Sequence, residues 1–181
     1  CIFGKNTTEA LNKLARRLPL APGRDTILVS MMEHHSNDLP YRAVANVVHV
    51  AVKPDGRLDE ADFERKLAQY AGRVALVALT GGSNVTGIIN PAQRLARQAH
   101  AVGAQFLLDI AQLAPHRAVT MGSLADPDHF DYVALSAHKL YAPFGAGALI
   151  GRRDTFAQGD PDQRGGGTVE IVTEDGVWWS G

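Results

Sequence analysis

The stretch Tyr132-Val-Ala-Leu-Ser136-Ala-His-Lys139 joins a short apolar run to a cluster of polar side chains. The same order, an apolar run with a polar ending, recurs at three other places in the chain. These are Thr26-Ile-Leu-Val-Ser30 before Glu33-His-His-Ser-Asn37, Val74–Leu79 before Ser83-Asn84, and Gln105–Leu108 before Asp109-Ile-Ala-Gln112. Runs that are apolar throughout are typical of strands buried on both faces of a sheet. The pattern therefore predicts central strands with polar residues at their carboxyl ends.

Helical segments alternate with these strands. The predicted helices begin after the Asn6-Thr-Thr-Glu9 capping box, near Asp59, and at Pro91. The remaining predicted elements are strands over Val47–Val52 and Gly147–Ile150 and a flexible loop over residues 158–167. Strands that alternate with helices indicate an α/β fold, in which a mainly parallel sheet carries helices on both faces.

Composition excludes several classes of protein. The chain has 181 residues, of which 45% are apolar, and this suits one domain with a normal core. Its 18 Lys and Arg against 19 Asp and Glu give a net charge of −1, which argues against binding to nucleic acid or to a membrane surface. No apolar run approaches the roughly 18 to 20 residues of a membrane span, and no secretory signal opens the chain. The single cysteine, Cys1, excludes an internal disulfide framework, so we expect a cytoplasmic protein.

The polar strand endings predict one site, because ligands of parallel α/β sheets bind beyond the carboxyl ends of the strands. Asn6-Thr-Thr opens a helix, where backbone amides and the helix dipole favour an anion such as phosphate. Asp109 directly follows Phe-Leu-Leu, where a carboxylate is costly unless it meets a cation or a donor. Lys139 also ends an apolar stretch, and desolvation would make it a better amine nucleophile. A phosphate site, a buried carboxylate and a nucleophilic lysine are what pyridoxal phosphate requires.

Five motifs together resemble the class V aminotransferase and cysteine desulfurase family, whose members are pyridoxal-phosphate enzymes of the large type I fold. The motifs, in chain order, are Asn6-Thr-Thr-Glu-Ala-Leu-Asn, Glu33-His-His-Ser-Asn-Asp-Leu-Pro-Tyr, Ser83-Asn-Val-Thr-Gly, Leu108-Asp-Ile-Ala-Gln, and Ser136-Ala-His-Lys-Leu-Tyr-Ala-Pro-Phe-Gly-Ala-Gly. Within the family the chain is most similar to the desulfurase and selenocysteine lyase branch, on the Glu-His-His segment and the Ser-x-His-Lys signature.

The resemblance covers roughly Phe3 to Gly167, and both ends of the sequence look cut. The chain starts at Cys1 without an initiator methionine and stops at Trp178-Trp-Ser-Gly181. We therefore expect residues 1–181 to be part of the pyridoxal-phosphate-binding large domain, incomplete at both ends. An N-terminal segment and a C-terminal small domain are then absent from the sequence.

The resemblance also implies a role for individual residues. Lys139 would form the Schiff base with the cofactor and later move the α-proton of an amino-acid substrate, and His34 would stack on the cofactor ring. Lys139 and His34 are therefore the candidate catalytic residues. Lys139 and His34 are also expected to bind the cofactor. The other expected cofactor-binding residues are Thr7, Thr8, Ser136 and His138 at the phosphate, Asp109 at the ring nitrogen, Gln112 at the phenolate oxygen, and Asn84 near the ring and the substrate carboxylate.

Partners follow from the same resemblance. The family builds its site at a subunit interface, so a homodimer is expected, and Gly166–Thr168 resembles a loop that approaches the active site of the other subunit. A desulfurase would also need a protein that accepts the sulfur. No metal site is expected, since His49, His100, His116 and His129 lack the spacing of a metal motif and are interpreted as structural or exposed.

Three functions stay open at this point. The first is C–S bond cleavage on cysteine, and the second is transamination or epimerisation on the same fold. The desulfurase's cysteine-bearing C-terminal loop and carboxylate-binding arginine would lie outside this sequence, and Cys1 is not a substitute for that cysteine. The third is a phosphate-binding α/β module without covalent chemistry, although the sequence lacks a Gly-x-Gly-x-x-Gly after the first strand.

Overall fold

The structure, a computed structural model, describes residues 1–157, 160–162 and 164–180. It forms two compact units, Cys1–Gly151 and Arg152–Gly181. Within the loop predicted over residues 158–167, Gln158, Gly159 and Gln163 lie outside the described residues. The described part of that loop contains neither helix nor strand, in agreement with the prediction.

The first unit is built on a seven-stranded sheet with the order β1-β7-β6-β5-β4-β2-β3. Its strands are β1 (Ile2–Gly4), β2 (Thr26–Ser30), β3 (Asn46–Val50), β4 (Val74–Thr80), β5 (Gln105–Asp109), β6 (Tyr132–Ser136) and β7 (Gly147–Gly151). The two pairings of β7, with β1 and with β6, are antiparallel, and the pairings among β2 to β6 are parallel. The prediction of a mainly parallel sheet is therefore confirmed.

Four α-helices connect these strands within the described residues of the first unit. They are α1 (Thr7–Arg17), α2 (Leu39–Arg42), α3 (Glu60–Gln69) and α4 (Ala92–Ala101). Asn6 caps α1 as predicted, since its Oδ1 accepts a hydrogen bond of 2.9 Å from the amide of Glu9. The other half of the predicted capping box is wrong, because the Glu9 carboxylate accepts from the amide of Lys5 and not from that of Asn6.

Both faces of the central strands are buried. Phe106 and Leu108 of β5 belong to a core that includes Leu95 of α4 and Phe63 of α3. Leu107 points to the opposite face, because successive side chains alternate along a strand, and it is fully buried as well. This burial on both faces explains why the strands are apolar throughout, as parallel strands covered by helices are expected to be.

The second unit contains a small hairpin that the sequence did not predict. Strand β8 (Val169–Val172) pairs antiparallel with β9 (Val177–Trp179). The indole N–H of Trp179 donates a hydrogen bond of 3.0 Å to Asp160. In neither unit is a described helix long and apolar enough to cross a membrane.

Candidate functional site

All of the predicted site residues line one cavity of about 220 Å³ in the first unit. The register of the strands explains why they meet. Thr80 at the end of β4 lies opposite Asp109, and Asp109 at the end of β5 lies opposite Ala134 of β6. The carboxyl ends of three neighbouring strands therefore share one edge of the sheet. The predicted residues that line the cavity are Thr7, Thr8, His34, Asn84, Asp109, Gln112, Ser136, His138 and Lys139.

One end of the cavity is formed by the start of α1 and the end of β6. The backbone amide of Thr7 donates a hydrogen bond of 2.8 Å to the hydroxyl oxygen of Ser136, and the two hydroxyl oxygens lie 2.7 Å apart. Both side chains are buried. Since the first amides of a helix and its dipole favour an anion, this end suits a phosphate group.

Strand β7 passes directly against this end of the cavity at Gly147. A Cβ atom on Gly147 would lie 2.5 Å from the Cα and 2.8 Å from the amide nitrogen of Asn6. Only glycine permits this close approach of two backbones. The position of the α1 N-terminus therefore depends on Gly147, the last residue of the motif that begins at Ser136.

His138 also presents a polar atom that lacks a protein partner. Its Nδ1 is buried and has no hydrogen-bond partner among the described residues. The ring stacks on Phe144, with 4.5 Å between centroids. Buried polar atoms are nearly always hydrogen-bonded, so an unpartnered one beside a cavity indicates that a bound group satisfies it.

Asp109 also lines the cavity and is buried, with 5% of the residue exposed. Its Oδ1 accepts a hydrogen bond of 2.9 Å from the amide of Ala111. Burial raises the pKa of Asp109, and the amide of Ala111 and the charges of Lys139 and His34 oppose that rise without cancelling it. A cationic N–H beside this carboxyl would stabilise its ionised form.

Lys139 and His34 both line the cavity, and they follow different strands, Lys139 after β6 and His34 after β2. Lys139 is half-buried on a 3-10 helix over Ala137–Leu140, which ends at Tyr141 in the left-handed conformation with φ of 63°. The exposed His34 caps a second 3-10 helix, because its Nδ1 accepts from the amide of Ser36 at 3.2 Å. That contact leaves its Nε2 and the faces of its ring available to a ligand.

Glu33 is a second buried acid that the sequence analysis missed. Its carboxyl group accepts hydrogen bonds from the Ser30 hydroxyl and, at 2.7 Å, from the side-chain amide of Asn37. Although part of the residue reaches the surface, the carboxyl group itself is enclosed. Burial raises the pKa of Glu33 to about 8, and the nearby charge of Asp109 acts in the same direction. The argument used for Asp109, an acid placed just after a buried strand, could have identified it.

The chain is similar to known proteins along nearly its whole length. The family model of class-V aminotransferases matches residues 1–181. A cysteine desulfurase of Dickeya dadantii is 39% identical over 180 residues, which cover 95% of this chain and 42% of that protein.

Two solved structures resemble the chain closely. The cysteine desulfurase CsdA of Escherichia coli has a TM-score of 0.83 at 32% identity, over 99% of this chain and 45% of its own. The apo cysteine desulfurase of Thermococcus onnurineus NA1 has a TM-score of 0.82 at 34% identity, over 99% of this chain and 44% of its own. The chain thus spans less than half the length of these relatives.

Proposed function

Because the chain belongs to the aminotransferase class-V family, we propose that the complete protein is a pyridoxal-phosphate enzyme that cleaves the C–S bond of cysteine. The observation that carries the proposal is the cavity itself, which brings the α1 N-terminus, a buried carboxyl and a lysine together. The names of the similar proteins favour cysteine desulfurase over transamination or epimerisation.

The residues present fit pyridoxal phosphate at three points. Thr7, Ser136 and the unpartnered Nδ1 of His138 supply donors for a phosphate. Asp109 supplies the carboxyl that a protonated ring nitrogen needs, and its raised pKa reflects a buried acid without a strong cationic partner. Lys139 supplies the amine that would hold the cofactor's aldehyde carbon. When bound, the cofactor accepts electrons and so stabilises negative charge at the α-carbon of the substrate.

Each residue then has a definite task. Lys139 Nζ would take and return the α-proton of the amino acid, and the Asp109 carboxylate would stabilise a proton on the ring nitrogen of the cofactor. The His34 ring would stack on the ring of the cofactor. Thr8 would add a hydroxyl at the phosphate; its Oγ1 lies 2.7 Å from the hydroxyl oxygen of Ser36. Gln112 would donate to the phenolate oxygen, and Asn84 would lie near the ring and the substrate carboxylate.

The proposal includes a homodimer and a sulfur-accepting partner protein. Large exposed apolar side chains beside the site residues support an assembly that covers this edge of the sheet. Tyr141 and Phe144 follow Lys139, Val85 follows Asn84, and each of the three is more than four-fifths exposed. Exposed apolar groups of this size commonly mark an interface. In the dimer, the Gly166–Thr168 loop would approach the site of the partner subunit.

The products formed from cysteine test the function. The purified complete protein is incubated with pyridoxal phosphate, L-cysteine and a thiol reductant, and the products are separated by chromatography. We expect alanine and sulfide in equal amounts, and neither from the Lys139→Ala variant. A keto acid without sulfide would indicate an aminotransferase, and D-cysteine would indicate an epimerase. Bound cofactor without any product would favour the non-catalytic module.

A further inference from the structure

A short chain of hydroxyl groups joins His34 to the first turn of α1. The Oγ1 of Thr8 lies 2.7 Å from the Oγ of Ser36, and the same Oγ lies 2.9 Å from Nδ1 of His34. All three residues line the candidate cofactor cavity. Ser36 therefore connects two residues that the proposed function places at different parts of the cofactor, Thr8 at the phosphate and His34 at the ring.

A backbone contact determines which nitrogen of His34 carries the hydrogen. The amide N–H of Ser36 donates to Nδ1 of His34 at 3.2 Å. A backbone amide nitrogen can only donate, so Nδ1 is the acceptor and carries no hydrogen. In the neutral ring the hydrogen is then on Nε2. His34 is therefore held as one tautomer, whose remaining polar atom is a donor.

The same reasoning gives the direction of the two hydroxyl contacts. Because Nδ1 of His34 carries no hydrogen, the Ser36 hydroxyl is the donor in their contact of 2.9 Å. A hydroxyl has one hydrogen, so Ser36 can only accept in its contact with Thr8, and the Thr8 hydroxyl donates. The hydrogen bonds thus run from Thr8 through Ser36 to His34. Hydrogen bonds in such a chain polarise and strengthen one another.

Buried neighbours hold Ser36 in place. It is the middle residue of the 3-10 helix His35–Asn37, whose last residue is fully buried. The side-chain amide of Asn37 donates to Glu33 at 2.7 Å, and its Oδ1 accepts from the hydroxyl of Tyr41 at 3.0 Å. The His34 ring, in contrast, is exposed. Its two hydrogen bonds within the described part of the chain both come from Ser36, so Ser36 determines how the ring is held.

We propose that Ser36 is a positioning residue of the candidate active site, which holds the His34 ring in its Nε2–H form and ties it to Thr8 at the phosphate end. The hold on the ring belongs to the protein without cofactor, whereas its consequence for cofactor binding rests on the proposed function. The ring and the phosphate of pyridoxal phosphate are covalently joined. A fixed spacing between His34 and Thr8 would let both meet the cofactor with less ordering on binding.

The nitrogen resonances of His34 test the proposal in the cofactor-free complete protein. The histidines are labelled with ¹⁵N, and long-range ¹H–¹⁵N correlation spectra are recorded at about pH 8.5, where an ordinary histidine is neutral. The signals of His34 are those that disappear in the His34→Gln variant. We expect the hydrogen on Nε2, and for Nδ1 the resonance of a hydrogen-bonded acceptor. A hydrogen on Nδ1 of the wild-type protein would overturn the proposal, a result that requires no Ser36 variant to fold.

Variants of the hydroxyl chain give the second readout. Ser36→Ala should move the Nδ1 resonance toward that of a nitrogen without a hydrogen bond, and Thr8→Val should move it the same way by less. Ser36→Thr keeps a hydroxyl and should keep the wild-type resonance. Ser180→Ala, at an exposed serine outside the cavity, is the matched control. An unchanged resonance in Ser36→Ala would overturn the proposal, and an unchanged one in Thr8→Val would overturn the link to the phosphate end.

Titration with pyridoxal phosphate separates this proposal from the proposed function. Ser36→Ala should raise the Kd of the complete protein roughly 2- to 10-fold, as the loss of one neutral hydrogen bond does, and Ser36→Thr should stay close to wild type. A wild-type Kd in Ser36→Ala would contradict the consequence for cofactor binding. If the wild-type protein bound no cofactor, the proposed function would fail, while the resonances of His34 would still decide the role of Ser36.

Discussion

The hydroxyl oxygen of Ser136 lies 2.8 Å from the amide nitrogen of Thr7, although the two residues are 129 positions apart. This contact joins the N-terminus of α1 to the carboxyl end of β6. Lys139 follows Ser136 closely in the chain, so this contact links the anion-binding end of the cavity to the segment that carries the candidate catalytic lysine.

Replacing Ser136 with alanine should weaken the binding of pyridoxal phosphate. The variant removes a hydroxyl that would donate to a charged phosphate, and such bonds contribute about 1.5–3 kcal/mol. We expect the Kd of the complete protein for the cofactor to rise roughly 10- to 100-fold. Fluorescence titration of the cofactor measures it, with Thr120→Ala, at an exposed threonine outside the cavity, as the control. An unchanged Kd in the Ser136 variant would remove Ser136 from the phosphate site.

Gly147→Ala should impair cofactor binding although Gly147 does not line the cavity. The new methyl group would meet the backbone of Asn6 at 2.5 to 2.8 Å, so α1 would have to move away from β7. That movement would displace Thr7 from Ser136. We expect loss of cofactor retention on gel filtration while the far-UV circular dichroism of the variant stays close to that of wild type. Full retention of the cofactor would show that the α1 N-terminus tolerates the shift.

Glu33→Gln should change how stability depends on pH. Folding raises the pKa of Glu33 from about 4.5 to about 8. Its contribution to stability is therefore fully present below about pH 4.5 and is lost as the pH rises toward about 8. Glutamine mimics the protonated acid at every pH, so the variant should gain stability relative to wild type across this window.

Urea denaturation of the complete protein between about pH 5 and about pH 8 measures the difference in the free energy of unfolding. Glu174→Gln, at an exposed carboxylate, should show no such trend. A constant difference between wild type and Glu33→Gln over the whole range would mean that Glu33 ionises normally in the folded protein.

Much of the fold could be predicted because local patterns and tertiary packing agree. The runs around Val77 and Leu107 are apolar throughout, and both are buried on both faces of the sheet. Strand β1 could not be predicted in this way. It is only three residues long and owes its conformation to pairing with β7, which is far away in the sequence.

The same difference between local patterns and distant contacts decides which parts of the candidate site could be predicted. Asp109 could be identified because it directly ends an apolar run, and Lys139 because it belongs to the polar cluster that follows another such run. The role of Gly147 depends on its contact with Asn6, which is far away in the sequence. Such contacts leave no signal in residue spacing.

The most direct test of the central claim is to locate the lysine that binds the cofactor. The complete protein is mixed with pyridoxal phosphate, reduced with borohydride, and digested for peptide mass spectrometry. Of the five lysines in this chain, Lys5, Lys13, Lys53, Lys66 and Lys139, we expect the pyridoxyl group on Lys139 alone, and its loss in the Asp109→Ala variant. A pyridoxyl group spread over all five lysines, or absent from Lys139, would contradict the proposed site.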